Sequence, residues 1–415
     1  MAQVYITRVV AEDIRLDFNT LASTARHHLQ KFSGEQLQAV VILFHGQEKL
    51  VKRRIGLDNC GYYKKFWLLK GIKMVEPRRE FYFQWHLTDK CNLQCQHCYQ
   101  DNNNLELNLT EKLKIVEVIT QALRKWGMKG RVSLTGGEPF LDKDLYSVLS
   151  ALESQPEIGQ INILSNGTLI TTSLTQRLHE FKKIKEVQIS LDGARQGTHD
   201  KIRGEGSFSR TLNGIDLLLE KGTAVTIMFT LWKENIAEVP ALVDLVIEKK
   251  INAFTVERLV PCGNGRQLKD KILAPNELKK VYEYINERAE CESFMSSGVR
   301  VRRSRPLWIN TCGDVEEGAS KGIGGFCPIG LSALAILPDG TVLPCRRLEI
   351  PLGNILTDGL YKIWYTSELL WRVRNKNNLK GKCNGCSNMP YCGGCRAIAY
   401  YLTGDYMGED VQCWK

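Results

Sequence analysis

The sequence predicts an α/β protein whose central part is a partial (β/α)6 TIM-like barrel. Apolar strand-like runs alternate with amphipathic helical stretches between residues 81 and 290, which indicates parallel strands joined by right-handed crossovers. Polar and glycine-rich turns follow several of the predicted strands, and in such folds the reactive groups lie at these ends. Cysteines cluster near residue 91 and again after residue 300, which indicates a separate cysteine-rich region in the C-terminal part. The chain length favours six βα units over a full barrel of eight.

Each strand is predicted from a short apolar run bounded by turn residues. The predicted strands are 81–87, 131–135, 160–164, 186–191, 224–231 and 253–259. Each helix is predicted from apolar residues that recur with helical spacing. The predicted helices are 110–125, 142–152, 173–181, 208–220, 236–249 and 275–288. The segment 198–208, between the fourth strand and the next helix, is predicted to be a loop.

Composition indicates a soluble, cytoplasmic protein. The chain has 415 residues, of which 43% are hydrophobic and 25% charged, enough for two or three domains. No apolar run approaches the length of a membrane span, and the first thirty residues lack a signal-peptide pattern. Fourteen cysteines in a large chain without an export signal predict metal ligands rather than disulfides. We expect neither a membrane nor a nucleic acid as a partner.

Three cysteines in one short run predict an iron–sulfur site. Cys91, Cys95 and Cys98 lie directly after the first predicted strand, with three and two residues between them. Three thiolates can hold three irons of a [4Fe–4S] cluster, which normally takes four protein ligands, so one iron stays open for chemistry. The alternative is a zinc site or a set of buried core cysteines.

A second motif follows the second predicted strand. Gly136 and Gly137 lack side chains and therefore let a ligand approach the backbone closely, and Glu138 comes next. Taken alone, this sequence is also that of a common turn. Asn166 follows the third strand, and Ser190 and Asp192 lie at the end of the fourth, where Asp192 also has the alternative role of a helix cap or turn residue.

Together these motifs resemble the radical S-adenosylmethionine (SAM) superfamily. The resemblance implies that SAM occupies the open iron of the Cys91, Cys95 and Cys98 cluster and that electron transfer yields a 5′-deoxyadenosyl radical. It further implies that three groups of residues bind SAM. These are Gly136, Gly137 and Glu138 at the amino group, Ser190 and Asp192 at the ribose or reactive centre with Asn166 lining the pocket, and Arg203 at the carboxylate.

The C-terminal cysteines resemble those of the SPASM domain, which carries auxiliary iron–sulfur clusters. The resemblance implies one auxiliary cluster held by four cysteines, namely Cys383, Cys386, Cys392 and Cys413. It implies a second held by Cys327, Cys345 and Cys395, with Cys312 as a candidate fourth ligand. The spacing before Cys395 is one residue shorter than usual in that family. Two zinc ribbons remain the alternative.

The predicted domains are residues 1–80, a small N-terminal domain; residues 81–295, the radical SAM core; and residues 296–415, the SPASM domain. Residues 1–80 hold 14 Lys and Arg against 8 Asp and Glu, which suits either an anionic partner or a solvated basic surface. This segment is predicted either to recognise a peptide or to cover the barrel.

The resemblance implies an enzyme that abstracts hydrogen from a ribosomally made peptide and then crosslinks or oxidises it. Its expected partners are that precursor peptide and a reductase such as flavodoxin or ferredoxin. Maturation of a non-peptide cofactor, a tetrapyrrole or a pterin–metal compound, is the second interpretation. A multi-cluster electron carrier without SAM chemistry is the third. The sequence points to no general acid or base.

Overall fold

The computed structural model describes residues 80–100, 105–311, 327–389 and 391–415. The predicted N-terminal domain, up to residue 79, and Cys312 lie outside these ranges, so their predicted roles remain predictions. Residues 79–124 and 128–415 form one compact unit. The barrel and the C-terminal region are therefore described together.

The described strands form one sheet in the order β10-β9-β8-β1-β2-β3-β4-β5-β6-β7. The strands are β1 (Glu80–His86), β2 (Lys129–Thr135), β3 (Ile158–Ser165), β4 (Ile184–Ser190), β5 (Val225–Leu231), β6 (Ala253–Arg258), β7 (Arg300–Val301), β8 (Ala333–Ile336), β9 (Thr341–Leu343) and β10 (Gly353–Asn354). Strands β1 to β7 pair in parallel with their sequence neighbours, as the alternation of elements predicts. The partial α/β barrel is confirmed.

Helices connect the strands and continue into the C-terminal region. They are α1 (Leu109–Trp126), α2 (Leu145–Ser154), α3 (Thr172–Leu178), α4 (Gln196–Arg203), α5 (Ser207–Glu220), α6 (Val239–Glu248), α7 (Pro275–Glu290), α8 (Glu292–Ser297), α9 (Leu360–Thr366), α10 (Glu368–Arg374) and α11 (Arg396–Thr403). None of the helices in the described ranges is long and apolar enough to cross a membrane.

The two faces of the sheet differ in polarity. Side chains alternate between faces along a strand, and Phe81, Phe83 and Trp85 of β1 are fully buried on one of them. Complete burial of such a side chain stabilises the fold by about 1.5–3 kcal/mol. Tyr82 and Gln84, which alternate with them, are half-buried on the other face. The apolar face therefore forms the core of the fold, and the polar face lines the inside of the barrel.

The C-terminal region extends the barrel sheet. Strand β8 pairs in parallel with β1, and β9 returns antiparallel to β8. At the other side of the barrel, Arg258 at the end of β6 forms a buried, bidentate ion pair with Asp410. Its Nη1 lies 2.9 Å from Asp410 Oδ1 and its Nη2 lies 2.8 Å from Oδ2. The barrel and the cysteine-rich region thus share a sheet and a buried charge pair.

The predicted loop at 198–208 is wrong for most of its length. Residues Gln196–Arg203 form helix α4, and α5 begins at Ser207. Asp200 accepts hydrogen bonds from the backbone of Phe208 at 2.7 Å and of Gly206 at 2.9 Å, and this bonding fixes the start of α5. Helix α4 is short and polar, which is why periodicity missed it. It holds Arg203 at its last position.

Candidate active site

The loop that carries Cys91, Cys95 and Cys98 leaves the C-terminal end of β1. All three cysteines are free thiols and half-buried, and burial raises the pKa of each. The backbone N–H of Leu93 donates to Cys91 Sγ at 3.4 Å. Three thiols of one loop with N–H donors aimed at sulfur suit an iron–sulfur cluster. Bound metal would keep these buried thiols deprotonated at neutral pH.

Two glycines bring the end of β2 directly against this loop. Gly137 N donates to Thr88 O and Glu138 N donates to Lys90 O, both at 2.8 Å. A Cβ atom on Gly137 would lie 2.3 Å from Lys90 O, and one on Gly136 would lie 2.3 Å from Thr88 O. Because real Cβ contacts are never that short, the close approach requires glycine at both positions.

The carboxylate of Glu138 is fully buried behind the glycines. Its two oxygens accept hydrogen bonds from Ser165 Oγ and from the backbone N–H of Asn166, both at 2.8 Å. Burial raises the pKa of Glu138 to about 7, although these hydrogen bonds act in the opposite direction. An ammonium group bound beside this carboxylate would favour its ionised form.

The ends of β3 and β4 complete the same rim. Asn166 Nδ2 donates to Asn92 Oδ1 at 3.0 Å and lies 3.9 Å from Cys91 Sγ, so it touches the cysteine loop. Ser190 ends β4 on the inner face and is half-buried. The predicted SAM-binding residues on these strands therefore share one edge of the sheet with the three cysteines.

Asp192 lies at the centre of a buried charged network. Its Oδ2 is 2.6 Å from Arg203 Nε and 3.1 Å from His97 Nε2, and its Oδ1 accepts from Thr230 N at 2.8 Å. Burial alone would raise the pKa of Asp192, but Arg203 and His97 hold it well below its usual range. Arg203 Nη1 also lies 3.7 Å from Cys95 Sγ. The network therefore ties the cysteine loop to β4.

Two histidines also belong to this network, and the sequence interpretation missed one of them, His97. His97, inside the cysteine run, contacts Asp192, and His199 Nδ1 accepts from Asp192 N at 3.2 Å. His199 is fully buried, and burial lowers its pKa to about 4. The position of His97 between two predicted ligands was the available signal, since a side chain there must lie near the site.

Four of the C-terminal cysteines line one small cavity. They are the set predicted for one auxiliary cluster: Cys383, Cys386, Cys392 and Cys413. Gly394 N donates to Cys392 Sγ at 3.3 Å, and Asn310 Nδ2 lies 3.5 Å from Cys413 Sγ. This donor set, with N–H groups directed at two of the sulfurs, suits an iron–sulfur cluster.

The other auxiliary set lies nearer the barrel. Cys345 and Cys395 both act electrostatically on Cys327, and burial raises the pKa of Cys327 to about 12. The backbone N–H of Cys395 donates to Asp410 Oδ2 at 2.8 Å, so the buried ion pair between Asp410 and Arg258 fixes this cysteine to β6. Nothing in the local sequence signals that pair, because its partners lie 152 residues apart.

Comparisons with known proteins agree with this geometry. The family model of the radical SAM superfamily matches residues 85–246, and that of the SPASM iron–sulfur cluster-binding domain matches residues 327–387. An AdoMet-dependent heme synthase of Methanosarcina barkeri is 29% identical over 79% of this chain and 95% of that protein. The mycofactocin maturase MftC of Mycolicibacterium smegmatis is 26% identical over 79% of this chain and 81% of that protein.

Solved structures share the fold. Streptococcus suis SuiB bound to S-adenosylmethionine superposes with a TM-score of 0.65 at 20% identity, over 81% of this chain and 77% of that chain. SuiB bound to its precursor peptide SuiA superposes with a TM-score of 0.63 at 19% identity, over 96% of this chain and 88% of that chain.

Proposed function

Because this chain belongs to the radical SAM superfamily and carries a SPASM iron–sulfur domain, we propose that it is a maturase of a ribosomally made peptide. The protein is an enzyme that uses S-adenosylmethionine and iron–sulfur clusters. The proposed reaction removes hydrogen from a side chain or an α-carbon, and crosslinking or oxidation of the peptide follows. The observation that carries the chemistry is the direct backbone pairing of Gly137 and Glu138 with Thr88 and Lys90, the residues that lead into the cysteine loop.

Each part of the site has a proposed task. When bound, SAM and the loop cluster supply a radical that removes a hydrogen atom from the substrate, and auxiliary clusters supply an acceptor for the electron left behind. Cys91, Cys95 and Cys98 would hold the first cluster and leave one iron open. Glu138 would receive the amino group of SAM, since its carboxylate is fixed by Ser165 and Asn166. Ser190 and Asn166 would line the ribose side of the pocket.

The network around Asp192 is proposed to position the cluster. Asp192 binds Arg203, and Arg203 reaches Cys95 Sγ, so the carboxylate orients the guanidinium beside a predicted iron ligand. A donor at a cluster sulfur stabilises negative charge there. Arg203 was predicted to pair with the SAM carboxylate, and its remaining N–H groups are proposed to keep that role. A reductase of the flavodoxin or ferredoxin type is the proposed electron source.

The peptide substrate is supported by relatives of two kinds. MftC is described as a mycofactocin maturase, and SuiB has been solved with the precursor peptide SuiA. An AdoMet-dependent synthase among the relatives and the SAM-bound structure of SuiB argue against an electron carrier without SAM chemistry.

A tetrapyrrole is the second candidate substrate. The heme synthase relative is 29% identical and this chain matches 95% of it, against 26% and 81% for MftC. This observation favours cofactor maturation.

The test uses anaerobically reconstituted full-length protein, SAM, dithionite and the peptides encoded by short reading frames beside the gene. We expect 5′-deoxyadenosine together with a mass loss in one peptide, measured by mass spectrometry. Protein in which Cys91, Cys95 and Cys98 are all Ala is the control and should give neither product. Abundant 5′-deoxyadenosine with every peptide unchanged, together with conversion of an iron porphyrin, would contradict the peptide proposal.

A further inference from the structure

Charged and polar side chains cover the inner face of the barrel. In a closed barrel of this type, branched aliphatic side chains fill the inside. Here the inner positions of β1 are Tyr82, Gln84 and His86, and those of β4 are Glu186, Gln188 and Ser190. Tyr82, Gln84, Gln188 and Ser190 are half-buried, whereas apolar residues on the opposite face are fully buried. An interior that is polar and accessible to solvent can bind a polar ligand.

Arginines dominate the charge of this interior. Arg302, just after β7, binds Glu186 through both terminal guanidinium nitrogens, with Nη1 at 2.9 Å, and Thr226 Oγ1 donates to the same carboxylate at 3.0 Å. Arg305 and Arg347 both pair with Glu257 of β6, the latter at 2.8 Å. Side-chain exposures of 35%, 36% and 25% for the three arginines show that solvent reaches them.

Arg131 of β2 adds a guanidinium to this group. Its Cζ lies 4.9 Å from the centre of the Tyr82 ring, and its buried Nε has no hydrogen-bond partner. Within the described ranges it forms no ion pair with a carboxylate. The charges of Arg131 and Arg305 both act on Tyr82, and Arg131 also acts on Glu186. Arg131 is the cross-strand partner of Tyr82 on the neighbouring strand β1, whereas Glu186 lies on β4, with β3 between β4 and β2. Arg131 therefore shares the inner face with Tyr82 and acts from there on Glu186.

The interior therefore holds more positive than negative charge. Within the described ranges, the carboxylates that pair with the arginine cluster, defined as Arg131, Arg302, Arg305 and Arg347, are those of Glu186 and Glu257. Although burial raises the pKa of both glutamates, the arginines more than offset it, so both carboxylates are ionised. The surplus is about two positive charges. Groups of arginines with free N–H donors favour carboxylate ligands, which they bind in a bidentate manner.

We propose that the arginine cluster binds carboxylate groups of the substrate inside the barrel and so fixes the substrate below the SAM site. This inference deepens the proposed function and rests on it. The carboxylates have two candidate sources, the acidic side chains of a peptide or the propionates of a tetrapyrrole. In both cases the substrate would carry at least two anionic groups.

Arg131 allows the sharpest test. Replacing Arg302 would leave buried Glu186 without its arginine, and replacing Arg305 or Arg347 would remove one of the two arginines that pair with buried Glu257, so each change would destabilise the fold for that reason alone. Arg131 has no carboxylate partner among the residues that the structure describes, so Arg131→Gln removes one positive charge without leaving any of those carboxylates unpaired. Arg131→Lys keeps the charge but loses the planar fork. Arg177→Gln is the matched control, because Arg177 also lies over a tyrosine ring, that of Tyr146, but is on α3.

The experiment measures binding of paired probes to full-length reconstituted protein. One pair is the neighbouring-gene peptide and its version with Asn and Gln in place of Asp and Glu. The other pair is iron coproporphyrin III and its methyl ester. One of the two pairs should correspond to the substrate. For that pair, wild type and R177Q should bind the form with free carboxylates at least about tenfold more tightly than the neutral form. R131Q should lose most of this preference, and R131K should recover part of it.

The outcomes separate the two proposals. If R131Q keeps the full preference for the acid, or if wild type binds both members of each pair equally, the arginine cluster is not a carboxylate site. This holds even if a peptide is modified. If only the porphyrin pair shows a preference that R131Q loses, the cluster is confirmed and the peptide substrate is wrong. Equal iron content and equal unfolding temperatures of the variants serve as the folding control.

Discussion

The two cysteine-rich regions of this protein are built in opposite ways. Cys91, Cys95 and Cys98 lie within a single loop, and that loop is held by backbone hydrogen bonds to the next strand. The C-terminal cysteines are spread between residues 327 and 413 and meet only after the chain has folded. The first site is thus encoded locally, whereas the second depends on long-range contacts.

The contacts that fix each region reflect this difference. The loop is held within the barrel, by Gly137 and Glu138 on one side and by Arg203 on the other. The C-terminal region is held to the barrel by the buried pair of Arg258 and Asp410. Because the two sets of contacts share no residue, damage to one region should leave the metal site of the other in place.

The largest effect is expected from removing the loop thiolates. Replacing Cys91, Cys95 and Cys98 by Ala should abolish 5′-deoxyadenosine formation, because it removes the cluster beside Gly137 and Glu138, where SAM is proposed to bind. Iron content should fall from about 12 to about 8 per chain, the amount in two remaining [4Fe–4S] clusters. Both are measured on anaerobically reconstituted protein. SAM cleavage at the parental rate, or loss of all iron, would show that the two regions are not separate sites.

The converse change breaks the long-range pair. Arg258→Met leaves Asp410 charged and buried without its partner, which typically costs about 3–5 kcal/mol of stability. Because Asp410 also accepts from the backbone of Cys395, we expect loss of auxiliary iron with retention of the loop cluster. Denaturant unfolding and iron analysis check this.

Arg124→Gln is the control for that variant, because it removes an ion pair whose arginine side chain is 64% exposed. It should leave iron content unchanged. If R258M retained all auxiliary iron, the pair would not anchor the C-terminal region.

A smaller effect is expected from a single methyl group beside the loop. In Gly137→Ala, the new Cβ would lie 2.3 Å from Lys90 O, so the cysteine loop must shift. We expect a loss of about 1–3 kcal/mol and weaker SAM binding, measured by calorimetry. Gly197→Ala in α4 meets nothing within 4 Å and should be neutral or stabilising by up to about 1 kcal/mol. Equal SAM affinity in the two variants would argue against the close approach.

The smallest effect on either metal site is expected from removing the basic N-terminal segment. A chain that begins at Glu80 should still cleave SAM but should bind the precursor peptide more weakly, if residues 1–79 recognise it. A charge-driven contact should also weaken with salt, because screening acts beyond about 8 Å at physiological ionic strength. Binding at two salt concentrations measures both. Unchanged affinity would assign this segment to a structural role.

The sequence predicted the barrel well because its signals are local. Each of the six predicted strands overlaps a strand of the structure, and no predicted bound differs from the observed one by more than two residues. The placement of Glu138 and Asn166 at one edge followed from parallel topology alone. The hydrogen bond that Asn166 N donates to the Glu138 carboxylate, at 2.8 Å, was not predictable, because it depends on the register between β2 and β3.

Other features could not be predicted, or were visible and overlooked. The pair of Arg258 and Asp410 joins residues far apart in the chain and has no local pattern. By contrast, the alternation of Tyr82, Gln84 and His86 with apolar neighbours was visible in the sequence. It indicates a strand with one polar face, and hence a barrel with a polar interior. Arg302 and Arg305 lie after the predicted strands, so their inward position required the structure.

The most direct test of the account is the response of each cluster to SAM. Only the cluster with an open iron can bind SAM, so electron paramagnetic resonance of the reduced wild-type protein should change for one cluster when SAM is added. In the variant with Ala at positions 91, 95 and 98, the remaining signals should be the same with and without SAM. A spectrum of that variant that still responds to SAM, or a wild-type spectrum that does not, would contradict the assignment of the loop as the radical-generating site.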